Sequence, residues 1–465
     1  MQKFVNRIQE MKTLEEQYNM SSSSMVILYG RRRVGKTSLI NEFLRKHSDN
    51  IYFLATEESE ALNLKAFKKQ VGEYIGNELL KSATVDWLNV FKLLAEHKTQ
   101  TKKIIVIDEF QYIGESNNAF PSIMQKVWDT ILSKSNIMLI LCGSLITLMK
   151  RQTLEYGSPL YGRRTAQIKL KQIPFKYYGE FIEGKSNNEL LPFYAVTGGV
   201  PKYIESFLGE NDLYKGIEKC VLNTQSYLYE EPYFLLQKEV SEIGSDFSLI
   251  KAIAMGNRKL SEIAATIEVK QTSLTKYLKT LIDLDLIERE VPVTESNPEK
   301  SKSGLYKIKD NFIAFWFKFV YPYRAYLEKG EVQFVLSQIK KGFVQNYASF
   351  VYEDVCREGM WDLSAKGLWN YHFDRVGRYW GSKADETDIV AIDSTGKNLV
   401  LGECEYSMAE KGLSVLHDLK DRAESLQALT GAKNVEYIIF NTAGFSQGLK
   451  DEAQSSKNIK LIEKL

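Results

Sequence analysis

The sequence predicts an α/β protein: a doubly wound parallel sheet with a helical subdomain, then a winged helix-turn-helix, then a second α/β domain. Three observations lead there. Over residues 1–185, short apolar runs alternate with longer amphipathic segments, the pattern of helices packed on both faces of a parallel sheet. Three helix-length segments followed by a strand-like pair occupy residues 246–310. Beyond residue 343 helix and strand signals alternate again. At ~150 residues per domain, 465 residues leave room for about three domains.

In chain order, the strands expected in the first domain are Met25 to Tyr29, Asn50 to Leu54, Lys103 to Ile107, Ile137 to Cys142 and Gln167 to Leu170. Residues 186–245 are aromatic-rich and helical, with few strand signals, and read as a lid subdomain. Residues 246–342 open on a helix at Phe247 to Met255. Ser261 is placed to cap a second helix over Glu262 to Ile267, and a third starts near Thr272 with an apolar stripe at Leu274, Leu278, Leu281 and Leu284. Leu286 to Val293 and Leu305 to Ile308 then form the wing, and an aromatic helical linker follows. The linker series Phe312, Phe315, Trp316, Phe319, Tyr321 and Tyr323 is read as packing at a domain junction rather than base stacking. Residues 343–465 carry a helix around Phe350 to Arg357, strands at Thr387 to Asp393, Leu399 to Cys404 and Glu436 to Phe440, and a long helix from Leu413 to Leu429.

Composition excludes several classes. No run of ~18 apolar residues is present, so a membrane span is not expected. No apolar leader precedes the first charged residues, which points to the cytoplasm. The four cysteines and four histidines are scattered without metal-ligand spacing. Sixty-one basic against 59 acidic residues give a net charge of +2, too little to draw the whole chain onto nucleic acid.

The chemistry concentrates at Gly30-Arg31-Arg32-Arg33-Val34-Gly35-Lys36-Thr37, a complete GxxxxGK[ST] loop between an apolar strand and a helix. Glycines let successive N–H groups face phosphates at the helix N-terminus, where Ser38 lies in the first turn. Lys36 reaches the β and γ oxygens, and Thr37 offers a hydroxyl to Mg2+. The strand Lys102 to Asp108 ends in Asp108 and Glu109, the first suited to hold the magnesium through water and the second to polarise the attacking water. Hydrolysis, not binding alone, is the expectation.

With these motifs the chain resembles the archaeal-ATPase family, P-loop ATPases of AAA+ and STAND type. The likeness is carried by Phe4-Val-Asn-Arg7, the phosphate loop, Ile107-Asp-Glu-Phe-Gln-Tyr112, Leu141-Cys-Gly-Ser144, Ser158-Pro-Leu-Tyr-Gly-Arg-Arg164 and Thr197-Gly-Gly-Val-Pro201. The resemblance implies ATP as the nucleotide. It also implies Arg7 near the base, although Asn6-Arg7-Ile8 departs from the family's Gly-Arg-Glu, and Ser144 as a γ-phosphate sensor, with helix capping as the plainer alternative. Arg163 or Arg164 would supply a transition-state guanidinium, in a neighbouring subunit or as plain surface residues. Gly199-Val200-Pro201 would be the GxP element, or simply a helix start.

The resemblance further implies a restriction-endonuclease fold at the C-terminus. Its second metal site would fall on Glu353, Asp388 and Glu403, but Glu405 stands where that site needs lysine. Lys420 on the following helix is a candidate substitute. A binding or interface fold is favoured over cleavage. In the third helix Gln271, Thr272, Ser273, Thr275, Lys276 and Lys279 lie opposite the leucines, with Lys300 and Lys302 on the wing, as duplex DNA contact requires. Yet eleven Lys and Arg face ten Asp and Glu over residues 246–310, so an intramolecular docking role stands equally open. The expectation is an ATP-binding, ATP-hydrolysing switch associated with DNA, a homo-oligomer or a protein partner. The alternatives are an ATP-gated nuclease and an interaction scaffold with vestigial hydrolysis.

Overall fold

A computed structural model describes residues 3–239, 243–381 and 386–463. The chain divides into two compact units. The first comprises residues 1–173, 199–205 and 237–241, and the second residues 174–198, 206–236 and 242–465.

The first unit holds five strands: β1 (Ser24–Tyr29), β2 (Asn50–Leu54), β3 (Lys103–Asp108), β4 (Ile137–Gly143) and β5 (Ala166–Lys169). Every neighbouring pair is parallel, in the order β2-β3-β4-β1-β5. β1, β3 and β4 are buried along their whole length, because helices cover both faces and leave no solvated side for polar residues. On one face Leu39, Ile40 and Phe43 of the helix Lys36–Leu44 join Val26, Leu28, Ile104 and Ile140 in one core. Elsewhere in the unit the helices Glu60–Ile75, Trp87–Glu96 and Phe120–Thr130 stack Phe67 on Trp87 (5.3 Å) and set Trp87 edge-to-face with Phe120 (4.9 Å). Such pairs contribute about 0.5–1.5 kcal/mol each beyond their buried area. The arrangement brings the carboxyl ends of β1, β3 and β4 side by side, with β4 between the other two.

In the second unit, residues 174–198 and 206–236 contain helices and no strand among the described residues. Helices Ile243–Ala254, Leu260–Thr266 and Gln271–Asp283 precede an antiparallel pair, β6 (Ile287–Glu290) and β7 (Leu305–Ile308). Leu274, Leu278, Leu281 and Leu284 are all buried. The middle helix begins at Leu260, so Ser261 lies inside it rather than capping it, and Glu262 accepts the Lys259 amide at 3.1 Å instead. Phe312, Phe315, Trp316 and Phe319 are buried, and Trp316 Nε1 donates to the Tyr229 carbonyl at 2.6 Å.

The helix Ser349–Ala365 then packs on a second five-stranded sheet: β8 (Phe373–Tyr379), β9 (Thr387–Asp393), β10 (Asn398–Glu405), β11 (Asn434–Asn441) and β12 (Ile459–Ile462). The order is β12-β11-β10-β9-β8, with β8, β9 and β10 antiparallel and β10, β11 and β12 parallel. Among the described residues no helix is long and apolar enough to cross a membrane.

A half-buried ion network ties β6 and β7 to the helix Ser349–Ala365. Lys307 Nζ lies 2.7 Å from Asp354, 2.9 Å from Glu288 and 2.8 Å from Glu290, and Arg357 also pairs with Asp354. Burial alone would lower the Lys307 ammonium, but the three carboxylates outweigh it and hold it above its ordinary value. Burial likewise opposes the Asp354 charge, and Lys307 and Arg357 outweigh it, holding the carboxyl below its ordinary range. Lys307→Met therefore destabilises the second unit by about 1–3 kcal/mol in chemical denaturation, because three partly exposed carboxylates lose the cation they share. Since folding depresses Asp354, the pair's contribution is complete above an unfolded-state pKa of about 4 and is lost as pH falls through the lower folded value. A stability profile of the variant shows a smaller acid-side loss, because Arg357 still pairs with Asp354.

Candidate functional site: the phosphate loop and its acids

The loop after β1 closes against the strand-like residue Leu170. A Cβ on Gly30 would lie 2.4 Å from the Leu170 carbonyl oxygen, so only glycine fits. Gly35 has φ 97°, a left-handed conformation that glycine adopts without strain, and it turns the chain into the helix Lys36–Leu44. Lys36 is buried, and its Nζ donates to the carbonyls of Gly30 (2.8 Å) and Arg31 (2.9 Å). These bonds hold the ammonium over the loop.

Arg7 is buried and donates from Nη2 to the Val34 carbonyl at 2.8 Å, with Glu10 3.3 Å from Nη1. Its guanidinium braces the loop. Arg31 is buried, Arg32 donates to the Tyr112 hydroxyl at 2.7 Å, and Arg33 is exposed at φ 70°. Ser38 follows Thr37 in the first helical turn.

Thr37 Oγ1 donates to Asp108 Oδ2 at 3.4 Å, joining the loop to the end of β3. The Tyr52 hydroxyl on β2 donates to the same oxygen. Burial, then the hydrogen bond to Asp108, pushes the Tyr52 phenol far above its ordinary value, so it stays a donor. Glu109 sits at φ 53° and is held from the side: its Oε2 accepts from Ser144 N (3.1 Å), Ser144 Oγ (2.8 Å) and Gln111 Nε2. Sequence reading missed Tyr52 and Gln111. Their signals were a hydroxyl inside an apolar strand and an amide two residues beyond the acid pair.

Pro201 opens the helix Pro201–Phe207 and packs against the loop, its Cγ 3.8 Å from where a Gly35 Cβ would stand. A Cβ on Gly199 would fall 1.9 Å from the Ile173 carbonyl oxygen. Gly199→Ala is therefore expected to destabilise the first unit by about 2 kcal/mol or more, read as a lowered melting temperature. Arg163 is engaged within its own chain, with Nε and Nη2 on Asp129 at 3.0 and 2.9 Å. Arg164 lies 5.9 Å from the Tyr161 ring and its Nη1 is buried without a hydrogen-bond partner.

The three C-terminal acids lie in the second unit on the helix Ser349–Ala365 (Glu353), β9 (Asp388) and β10 (Glu403). They come close enough to oppose one another's charge. Burial first, then Asp388, pushes Glu353 up to about 8 and Glu403 up to about 7. Arginines stand where a cation would: Arg357 is 3.6 Å and Arg378 is 3.8 Å from Glu353, and Arg422 is 2.9 Å from Glu403. Asp388 Oδ2 accepts the Cys404 amide at 3.1 Å. Glu405 pairs with Lys411 at 2.8 Å, whereas Lys420 is committed to Glu452 at 3.3 Å. Among the described residues no group of three or more acids, histidines or cysteines could hold a metal ion. This donor set does not fit a metal ion.

The phosphate-loop residues do fit a magnesium nucleotide. Lys36 is already aimed, and the Thr37 hydroxyl and Asp108 carboxylate lie together.

Comparison with known proteins agrees with this geometry. Residues 4–207 match a family described as an ATPase domain predominantly from Archaea. Residues 316–415 match a family of archaeal and bacterial proteins of unknown function. An uncharacterized protein of Methanocaldococcus jannaschii is 34% identical over 419 residues, covering 90% of this chain and 89% of that one. A second uncharacterized protein of that organism is 35% identical over 91 residues, 20% of this chain and 88% of its own length. Among solved structures, a Walker-type ATPase of Pyrococcus abyssi superposes with a TM-score of 0.50 at 19% identity, covering 68% of this chain and 96% of that one, a likeness of fold.

Proposed function

Because the chain belongs to the archaeal ATPase family, we propose that it is a cytoplasmic ATP-binding and ATP-hydrolysing switch of AAA+ and STAND type. The observation that carries this reading is the shared carboxyl edge of β1, β3 and β4, where Lys36, Thr37, Asp108, Glu109 and Ser144 meet. Lys36 and the amides of the loop bind the triphosphate tail. Thr37 and Asp108 hold Mg2+, and bound magnesium neutralises charge on the phosphate oxygens. Glu109 orients and deprotonates the attacking water once freed from Ser144, which in turn contacts the γ-phosphate. Tyr52 keeps Asp108 in position, and Pro201 carries the state of the loop into the helix it begins. Arg164 is the better of the two candidates for a transition-state guanidinium offered to a neighbouring copy, since Arg163 is spoken for by Asp129. Phosphate release from ATP is expected to stop on addition of EDTA and to return with Mg2+. Turnover that survives chelation would overturn the reading.

We further propose that the three-helix and ladder module is a winged helix that meets duplex DNA. The support is its open face: Gln271, Thr272, Ser273, Thr275, Lys276 and Lys279 are exposed, opposite the buried leucines. Lys276→Glu with Lys279→Glu is expected to abolish salt-sensitive duplex retention, measured with and without a non-hydrolysable ATP analogue. Equal retention by parent and variant would leave the docking role. For the C-terminal sheet we propose an interface rather than cleavage, supported by the arginines that neutralise Glu353 and Glu403. Metal-dependent plasmid nicking that disappears in Asp388→Ala would reverse this.

A further inference from the structure

Outside the site just described, one charged side chain points into it. The helix Tyr227–Glu239 ends at Glu239, and its last residues, 237–239, group with the first unit. The Glu239 carboxylate accepts the amide of Ile146, two residues beyond Ser144, and lies within electrostatic reach of Arg31, Lys36 and Arg32. Its Oε2 is sealed from solvent and has no hydrogen-bond partner.

A carboxylate at a helix C-terminus is opposed by the negative end of the helix dipole, and burial opposes it further. Burial pushes this one up to about 7, against the pull of Arg31, Lys36 and Arg32. What favours it there is the loop's positive charge. An anion beside the phosphate loop and Lys36 stands where a γ-phosphate belongs, because that loop and its lysine are what cradle the β and γ phosphates in P-loop enzymes.

We propose that Glu239 is an internal ligand of the phosphate site, occupying the γ-phosphate position until a nucleoside triphosphate displaces it. The inference rests on the nucleotide reading above and names its regulation. A triphosphate carries its own anion to the position and expels the carboxylate. A diphosphate does not, and leaves it seated. The displaced residue lies four positions before the helix Ile243–Ala254, the first of the three-helix and ladder module. Triphosphate and diphosphate states thus differ at the segment that enters that module, the differential contact a switch requires.

Calorimetric titration of the full-length protein with ATPγS and with ADP tests this, using Glu239→Ala and, as the shape-conserving variant, Glu239→Gln. If the carboxylate fills the position about 90% of the time, its removal tightens ATPγS about tenfold. ADP affinity changes less than about threefold, so the preference for triphosphate widens. Hydrogen exchange of residues 227–243 supplies the second readout: ATPγS raises it in the parent, ADP does not, and in the variants it is high before nucleotide is added. Unchanged or weaker ATPγS binding by both variants, with the parent binding normally, overturns the internal ligand and leaves the nucleotide site standing. Absence of any Lys36-dependent binding in parent and variants overturns the nucleotide reading and the internal ligand with it.

Discussion

Lys36→Ala is expected to abolish ATP binding and turnover while leaving the fold intact. The ammonium is buried, with two backbone carbonyls of its own loop as partners, and no neighbouring apolar core depends on it. Alanine suits the first turn of the helix Lys36–Leu44, and the carbonyls of Gly30 and Arg31 become accessible to water. What is lost is a charge placed for the β and γ oxygens. Charge-assisted hydrogen bonds contribute about 1.5–3 kcal/mol each, so losing two weakens binding by roughly 10²–10⁴-fold. Titration calorimetry reads the affinity and thermal melting the fold. Parent-like binding with an unchanged melting temperature would remove the site from consideration.

Glu109→Gln should separate binding from chemistry. A glutamine carbonyl oxygen can accept the bonds from Ser144 N, Ser144 Oγ and Gln111 that Glu109 Oε2 accepts, so the left-handed turn at residue 109 keeps its anchors. The amide cannot take a proton from water. General-base removal costs about 10²–10⁴-fold in rate, and turnover should fall by that much while ATP affinity stays within a few-fold of the parent. Single-turnover phosphate release beside equilibrium binding gives both numbers. Unchanged turnover would mean that another residue activates the water.

Glu109 and Glu239 are both engaged within the chain at the phosphate loop and its acids. The Glu109 carboxylate is engaged by Ser144 and Gln111, and Glu239 lies against the loop that must receive the phosphates. Both contacts are electrostatic and local to the phosphate loop and its acids, and on the proposed reading a triphosphate competes with each.

Much of the phosphate-loop edge was legible in the residues. Apolar runs at Asn50–Leu54 and Leu305–Ile308 reappear as strands with the expected bounds, and those of β1, β3, β4 and β5 differ by one residue at one or both ends. β8 and β12 escaped notice for a physical reason. They are the two edges of their sheet, and β8 places Asp374, Arg375, Gly377 and Arg378 between its terminal aromatics, so that Val376 is the one aliphatic residue and the apolar signal is weak. Ser261 misled because a hydroxyl before an apolar run suggests a cap, while the helix gained a better one from the Glu262 carboxylate.

By itself the chain of residues determined the local devices: a loop that only glycine can turn, an ammonium after it, a strand that ends in two acids, a helix with leucines on one side. Those depend on neighbours a few positions away, and so they are written in spacing. Which devices meet was decided by the tertiary structure alone. Placing β4 between β1 and β3 sets Ser144 against Glu109, brings Tyr52 from β2 to Asp108, and leaves room for Glu239 to reach Arg31 and Lys36 from more than 200 positions along the chain. Contacts of that kind arise from strand order and buried charge compensation, and neither has a period that a linear sequence can display.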